Sequence, residues 1–308
     1  MLDRTFQVVP GIGPVAERKI WATEVDWESV SNMRRVSGVA NKAWEKLQCV
    51  LPAIREAAGS GDGGVMASLI PARLHWRAIP NLLGRVACID VETTGLSSTT
   101  DRITVVGVYD GQTVRSFVRG ENLGDFPAYI AQFPAIATFN GRFFDCPFLE
   151  QEFRAAMPPI HLDLQPLLRA AGLAGGLKAI EKQLGITRGP LAKWSGETAP
   201  WLWRNWRQSG ERKYRDTLIA YNALDAAVLD VLLRHAYNTL TEQVGAPFPA
   251  INLPAVSVNA SGIDLIEIED VETPPWADPW VRRTFAGMAM RYRGECGFLD
   301  DDSEGQKK

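Results

Sequence analysis

Residues 85–96 read RVACIDVETTGL, a short apolar run that ends in acidic, threonine and glycine residues. Its apolar, branched side chains are those of a β-strand. A strand alternates its side chains with a period of two, so Asp90 and Glu92 share one face. Two like charges at the edge of a core repel each other, and burying carboxylates without partners is costly. Such a pair persists where cations neutralise it. The plain alternative is a strand end that reaches solvent, where acidic residues do no harm.

Working outward, residues 102–110 (RITVVGVYD) and 112–119 (QTVRSFVR) alternate in the manner of strands, and Asp110-Gly111 supplies a hairpin turn between them. Residues 125–133 (DFPAYIAQF) have helical spacing, 134–139 (PAIATF) form another buried β-type run, and 146–157 (CPFLEQEFRAAM) return to helical spacing. The predicted order is βββαβα. A short strand over 160–164 follows, then helices over 177–186 and 215–240, and the domain closes near Glu242.

Two further acidic elements follow the same logic. In FNGRFFD the strand ends at Asn140-Gly141 and Asp145 stands at the start of a helix, where an ordinary capping role is the alternative. In YNALD, Tyr221 and Asp225 are four apart and lie above one another on a helix face. A core tyrosine beside a solvated aspartate is the alternative there. Asp163 reads either as an acidic group supporting the expected site or, with His161, as a strand-end pair.

Together the three elements resemble the DEDD (DnaQ-like) 3′-to-5′ exonuclease superfamily. The resemblance spans about 85–238; DVETTGL and FNGRFFD are most similar to YprB-like ribonuclease H-like proteins, and Tyr221 points to the tyrosine branch. It implies an α/β fold, a ribonuclease H-like mixed five-stranded sheet flanked by helices, in agreement with the element order. Having both acidic residues on one strand favours exonuclease chemistry over that of ordinary ribonuclease H.

The resemblance also implies a site. Asp90 would bridge two divalent cations, Mg²⁺ or Mn²⁺, with Glu92 and Asp225 as further ligands and Asp145 acting directly or through water. Two cations about 3.5–4 Å apart activate the attacking water and stabilise the leaving oxygen of a phosphodiester. Oxygen ligands without clustered Cys or His select these hard ions. Tyr221, a phenol with an ordinary pKa of about 10, would orient the water rather than act as a base. Thr93, Thr94, Gly95 and Leu96 resemble the segment that cradles a 3′-terminal nucleotide, with Asn140 and Phe144 lining the cleft; a core role for Phe144 is an equal alternative.

Outside this domain, residues 1–56 read as short helices, 57–84 as a linker and lead-in, and 243–308 as a proline-punctuated acidic tail. Residues 57–64 (AAGSGDGG) are the clearest linker. From 264 to 304 the net charge is −7, the pattern of a poorly ordered or partly docked segment. Near the N-terminus VVPGIGPVAERKIW resembles a helix-hairpin-helix, whose Gly11 and Gly13 would expose backbone N–H groups to a phosphate, with Arg18 and Lys19 adding charge. Glu17 stands where that motif usually has a small residue.

Between 178 and 215, nine basic residues face three acidic ones, with Trp194, Trp201, Trp203 and Trp206 interleaved. Arginines there suit phosphates; most of the tryptophans suit packing.

The chain is 308 residues long, with 46% apolar and 22% charged residues and a net charge of −3. That balance argues against a protein that coats nucleic acid, though not against a local groove. Four scattered cysteines form neither a zinc site nor a disulfide framework, and no apolar run is long enough to span a membrane. A cytoplasmic protein acting on DNA or RNA, at a single-stranded 3′ end, is the expectation. An endonuclease on the same fold and a catalytically silent nucleic-acid-binding module are the alternatives.

Overall fold

Five strands form around the acidic run: β1 (Val86–Thr93), β2 (Ile103–Tyr109), β3 (Val114–Val118), β4 (Ala135–Thr138) and β5 (Ile160–Asp163). The computed structural model describes residues 2–30 and 32–254. The strands make one sheet in the order β3-β2-β1-β4-β5. β1 and β3 are antiparallel to β2, while β4 runs parallel to both β1 and β5. This is the expected mixed sheet. The turn between β2 and β3 forms where Asp110-Gly111 predicts it, because the Asp110 carboxylate accepts from the N–H groups of Gln112 (2.9 Å) and Thr113 (2.8 Å).

The helices before the sheet are α1 (Pro14–Trp21), α2 (Trp27–Val30), α3 (Asn41–Ser60), α4 (Gly63–Leu69) and α5 (Ile79–Leu82). Those after β3 are α6 (Phe126–Ile130), α7 (Asp145–Phe153), α8 (Leu164–Ala170), α9 (Leu177–Gln183), α10 (Ala199–Ser209) and the 33-residue α11 (Arg212–Val244). None of the described helices is long and apolar enough to cross a membrane.

The period of two in β1 sorts its side chains between two cores. Ala87, Ile89 and Val91 pack with Phe126, Ile130 and Phe148 on the α6 and α7 side. Val86 and Cys88 pack with Leu224, Val228 and Leu232 of α11 on the other. Asp90 and Glu92 continue the second series. Their carboxylates are therefore delivered to the face that α11 covers.

The stretch read as a flexible linker is folded instead. Residues 57–60 complete α3, Gly61 ends it in a left-handed conformation (φ 71°), and Asp62 caps α4 by accepting from the Val65 N–H at 3.0 Å. Gly63 sits so close to the sheet that a Cβ there would lie 2.5 Å from the Pro134 carbonyl oxygen. Small residues in 57–64 thus serve close packing, an outcome that composition alone cannot distinguish from flexibility.

Buried side chains of the N-terminal segment, among them Phe6, Trp44 and Ile54, belong to the same cluster as those of α11. Rings seal this junction, with Trp76 edge-on to Tyr237 (6.1 Å) and Trp21 edge-on to Phe248 (6.1 Å). Of the tail, Phe248 and Ile251 are buried, and Asn238 binds the Ile251 backbone on both sides at 2.8 Å. The acidic segment from 264 onward lies outside the described residues.

Glu17, which departs from the helix-hairpin-helix pattern, is an interior anchor. It accepts from the Phe6 N–H (2.8 Å) and from two nitrogens of Arg77 (2.7 and 3.1 Å), with both side chains almost wholly buried. The pair ties α1 to the segment that leads into the sheet.

Candidate metal centre

At the end of β1, Asp90 and Glu92 meet Asp225, which projects from α11, the helix packed on the same face of the sheet. Ligand oxygens of these three residues lie within 4.8 Å of one another. Glu92 and Asp225 are buried and Asp90 is partly buried. Burial and mutual repulsion push the Asp90 and Glu92 carboxyls well above the usual carboxylate range. Burial raises Asp225 to about 6, against the pull of Arg188 and of the hydrogen bond from Tyr221. Three acidic groups so close stay ionised together only when positive charge joins them.

Tyr221 stands one turn before Asp225 and is 4% exposed. Burial, together with the charges of Asp225 and Glu92, pushes its phenol well above the ordinary tyrosine value. It is therefore a proton donor at neutral pH, suited to holding an oxygen in place and unsuited to removing a proton.

Asp145 reaches the site from the opposite layer. The loop after β4 passes over the end of β1, and Asp145 Oδ1 accepts from the Val91 N–H at 3.1 Å. It is not among the three clustered carboxylates, though its charge acts on both Asp90 and Glu92. Burial raises its own carboxyl to about 7.

Residues 87–237 match the sequence model of the RNase_H superfamily. Fold order, sheet and match agree. The domain has a ribonuclease H-like fold.

Solved structures similar to the chain include the following two. One, titled "apo form of the nuclease", has 22% identity, a TM-score of 0.38, and coverage of 53% of this chain and 75% of its own. The other, Brucella melitensis NrnC, has 18% identity, a TM-score of 0.29, and coverage of 56% and 93%. No curated protein sequence matches the chain.

Within the ribonuclease H-like domain, Asn222 is a site residue that motif reading passed over. It is completely buried, and its Nδ2 donates to the Asp90 carbonyl (3.0 Å) and to Asp90 Oδ2 (2.7 Å). Room for it comes from Gly107, the register partner of Asp90 on β2. A Cβ at Gly107 would collide with the Asn222 amide and lie 3.2 Å from its backbone oxygen. The signal was present as a glycine inside the branched run ITVVGVY, which marks a close approach.

Thr93 to Leu96 form a tight loop around Asp101. The Thr93 hydroxyl donates to the Gly95 carbonyl, Thr94 Oγ1 donates to Asp101 at 3.2 Å, and a Cβ on Gly95 would lie 2.5 Å from Asp101 Oδ1. Leu96 is half-buried. The loop after β4 is held by Asp163, which accepts from the N–H groups of Asn140 (2.9 Å) and Arg142 (3.1 Å) and caps α8 through Gln165 (3.2 Å). Asn140 adopts a left-handed conformation, φ 60°. Phe144 packs on Phe148 (5.1 Å) while its neighbour Phe143 is 78% exposed.

The basic region divides by environment. Trp194 and Trp201 are buried and stacked at 6.3 Å, and Trp203 and Trp206 are half-buried against the core. Arg215 is paired with Glu121. Arg188 is almost wholly buried beside Asp225.

At the N-terminus, Gly11 and Gly13 are exposed around the buried Ile12, with Gly11 at φ 95° and Gly13 preceding α1; Arg18 and Lys19 are exposed on that helix.

Proposed function

We propose that this protein is a metal-dependent 3′-to-5′ exonuclease that hydrolyses DNA or RNA to nucleoside 5′-monophosphates. The observation that carries the reading is the convergence of Asp90, Glu92 and Asp225 within 4.8 Å, with a protonated Tyr221 hydrogen-bonded to Asp225. The donor set is all oxygen, and the buried Asp225 Oδ1 has an ion-pair contact with Arg188 (2.5 Å) but no hydrogen bond of proper geometry. Such a set suits Mg²⁺ or Mn²⁺.

Asp90, Glu92 and Asp225 would hold the ions, with Asp145 behind them. When bound, two such ions supply an activated water and charge stabilisation for the phosphodiester in flight. The chain's own residues do the positioning. Asn222 fixes the rotamer of Asp90, Asp145 braces β1 through Val91, and the Tyr221 hydroxyl, which donates its one hydrogen to Asp225, would accept a hydrogen bond from the attacking water and so orient it. Thr93 to Leu96, Asn140 and the loop carrying Phe143 and Phe144 would, on this proposal, line the cleft beside these groups and receive a single-stranded 3′ end. In this reading Gly11, Gly13, Arg18 and Lys19 form a second phosphate contact for longer substrates.

The test uses 5′-labelled DNA and RNA strands with Mg²⁺, Mn²⁺ or chelator. A metal-dependent ladder shortening from the 3′ end, with inhibition by a 3′-phosphate, supports the exonuclease. Internal cuts would favour an endonuclease, and binding without cleavage a silent module. For the N-terminal contact, Arg18→Ala/Lys19→Ala should weaken binding of long strands and flatten its salt dependence. Point substitutions are required, because deletion of the N-terminal helices would strip the core shared with α11.

A further inference from the structure

Arg188 is nearly buried, with a side chain 5% exposed, and its guanidinium lies over the Tyr221 ring (5.5 Å) while engaging two carboxylates. Its Nε and Nη2 donate to the two oxygens of Glu181 at 2.5 and 2.6 Å. This bidentate pair satisfies that edge of the fork and neutralises the charge locally. The third nitrogen, Nη1, lies 2.5 Å from Asp225 Oδ1. Neither Nη1 nor Oδ1 has a hydrogen-bond partner of proper geometry among the described residues. The contact is electrostatic, and Nη1 faces the carboxylate cluster.

Two consequences follow. Because Glu181 already compensates Arg188, the guanidinium cannot offset Asp90, Glu92 and Asp225 together. And because Glu181 holds the Nε and Nη2 edge, Nη1 can leave Asp225 without loss of the anchor. A buried N–H so released requires another acceptor. In a site that takes phosphodiesters, the group arriving with lone pairs and negative charge is a phosphate.

We propose that Arg188 is the resident counter-cation of Asp225, that it yields Oδ1 to a divalent ion, and that its freed Nη1 then binds a phosphate oxygen of the substrate. The proposal rests on the reading of the carboxylates as a metal site. It makes Arg188 a competitor for metal and a ligand for substrate, two effects of opposite sign on binding. A merely structural ion pair has neither.

The experiment titrates Mn²⁺ by calorimetry into the wild type and into Glu181→Gln/Arg188→Met, in which both buried charges are removed together and neither is left uncompensated. Arg188→Gln serves as a second variant with the same expectation. Thermal melts establish that each is folded. An adjacent opposite charge alters the proton affinity of a carboxylate by roughly 10-fold or more, and removal of the competing guanidinium should tighten Mn²⁺ by about that factor. A nucleoside 5′-monophosphate titrated onto the Mn²⁺-saturated forms should bind about 10-fold more weakly to the variants, the scale of one hydrogen bond to a charged group. Equal Mn²⁺ affinity in wild type and variants overturns the competition, and equal nucleotide affinity overturns the phosphate contact. If the wild type itself bound no Mn²⁺, the metal-site reading would fall first, and this proposal with it.

Discussion

The Asn222 amide grips Asp90 at two points, donating to its backbone carbonyl at 3.0 Å and to its carboxylate Oδ2 at 2.7 Å. One side chain thereby sets both the height of α11 over β1 and the direction in which Asp90 points. Only the absence of a Cβ on Gly107 lets the helix come so close.

Asn222→Ala should therefore lower kcat by roughly 10- to 100-fold and raise the metal requirement, the usual cost of losing an orienting partner behind a metal ligand. KM for the strand should change little. Gly107→Ala should reproduce the defect without altering any polar group. Steady-state kinetics at several Mn²⁺ concentrations check both; a normal Gly107→Ala enzyme would mean that the helix position does not matter to Asp90.

Tyr221→Phe and Asp225→Asn should fail in different ways although the two residues share a helix face. Loss of the hydroxyl should reduce kcat by roughly 10- to 1,000-fold with an unchanged metal requirement, as for an orienting or proton-handling group. Asp225→Asn should nearly abolish turnover and shift the metal dependence to higher concentration. Parallel metal titrations of activity separate the two, and identical metal curves would contradict the division of roles.

The carboxylates also predict how stability responds to pH. Burial raises Asp145 to about 7 and Asp225 to about 6, whereas unfolded aspartates titrate near ~4. Between about pH 4 and 7 the folded protein then binds more protons than the unfolded chain, so these groups make stability fall as pH rises. Metal-free wild type should lose more Tm between pH 5 and 8 than Asp145→Asn/Asp225→Asn does. Added Mn²⁺ should raise Tm more at pH 8 than at pH 5, because protons no longer compete for the ligands. Melts at both pH values, with and without Mn²⁺, measure this; a metal-induced gain that is larger at pH 5 would contradict it.

Glu17→Ala should destabilise the whole protein by about 3–5 kcal/mol, since removing one member of a buried ion pair leaves the other uncompensated. Arg77 would lose both of its hydrogen bonds to the carboxylate, and the Phe6 N–H its acceptor. Urea unfolding tests the value. A loss confined to the N-terminal helices, with the sheet domain melting as in wild type, would show that the two parts unfold separately.

The sequence by itself determined a good deal. The apolar, branched run at 85–92 and the alternation over 102–119 dictated three consecutive strands, because branched side chains favour extended backbone and the Asp110-Gly111 turn must reverse the chain. The same period placed Asp90 and Glu92 on one face, and the helical period placed Tyr221 over Asp225. These are local consequences of backbone geometry, legible wherever the chain is regular. Local pattern could not tell that 57–64 is packed helix, since small residues serve tight contacts as well as loose links. Nor could it distinguish Phe143 from Phe144, adjacent residues of one type whose exposure depends on how a loop turns. Asn222 on Asp90, Arg188 on Asp225 and Glu17 under Arg77 join positions 132, 37 and 60 residues apart. Such contacts belong to no element's own periodicity; they exist because packing the helices on the sheet brings buried polar groups together, and each buried polar group must then find a partner.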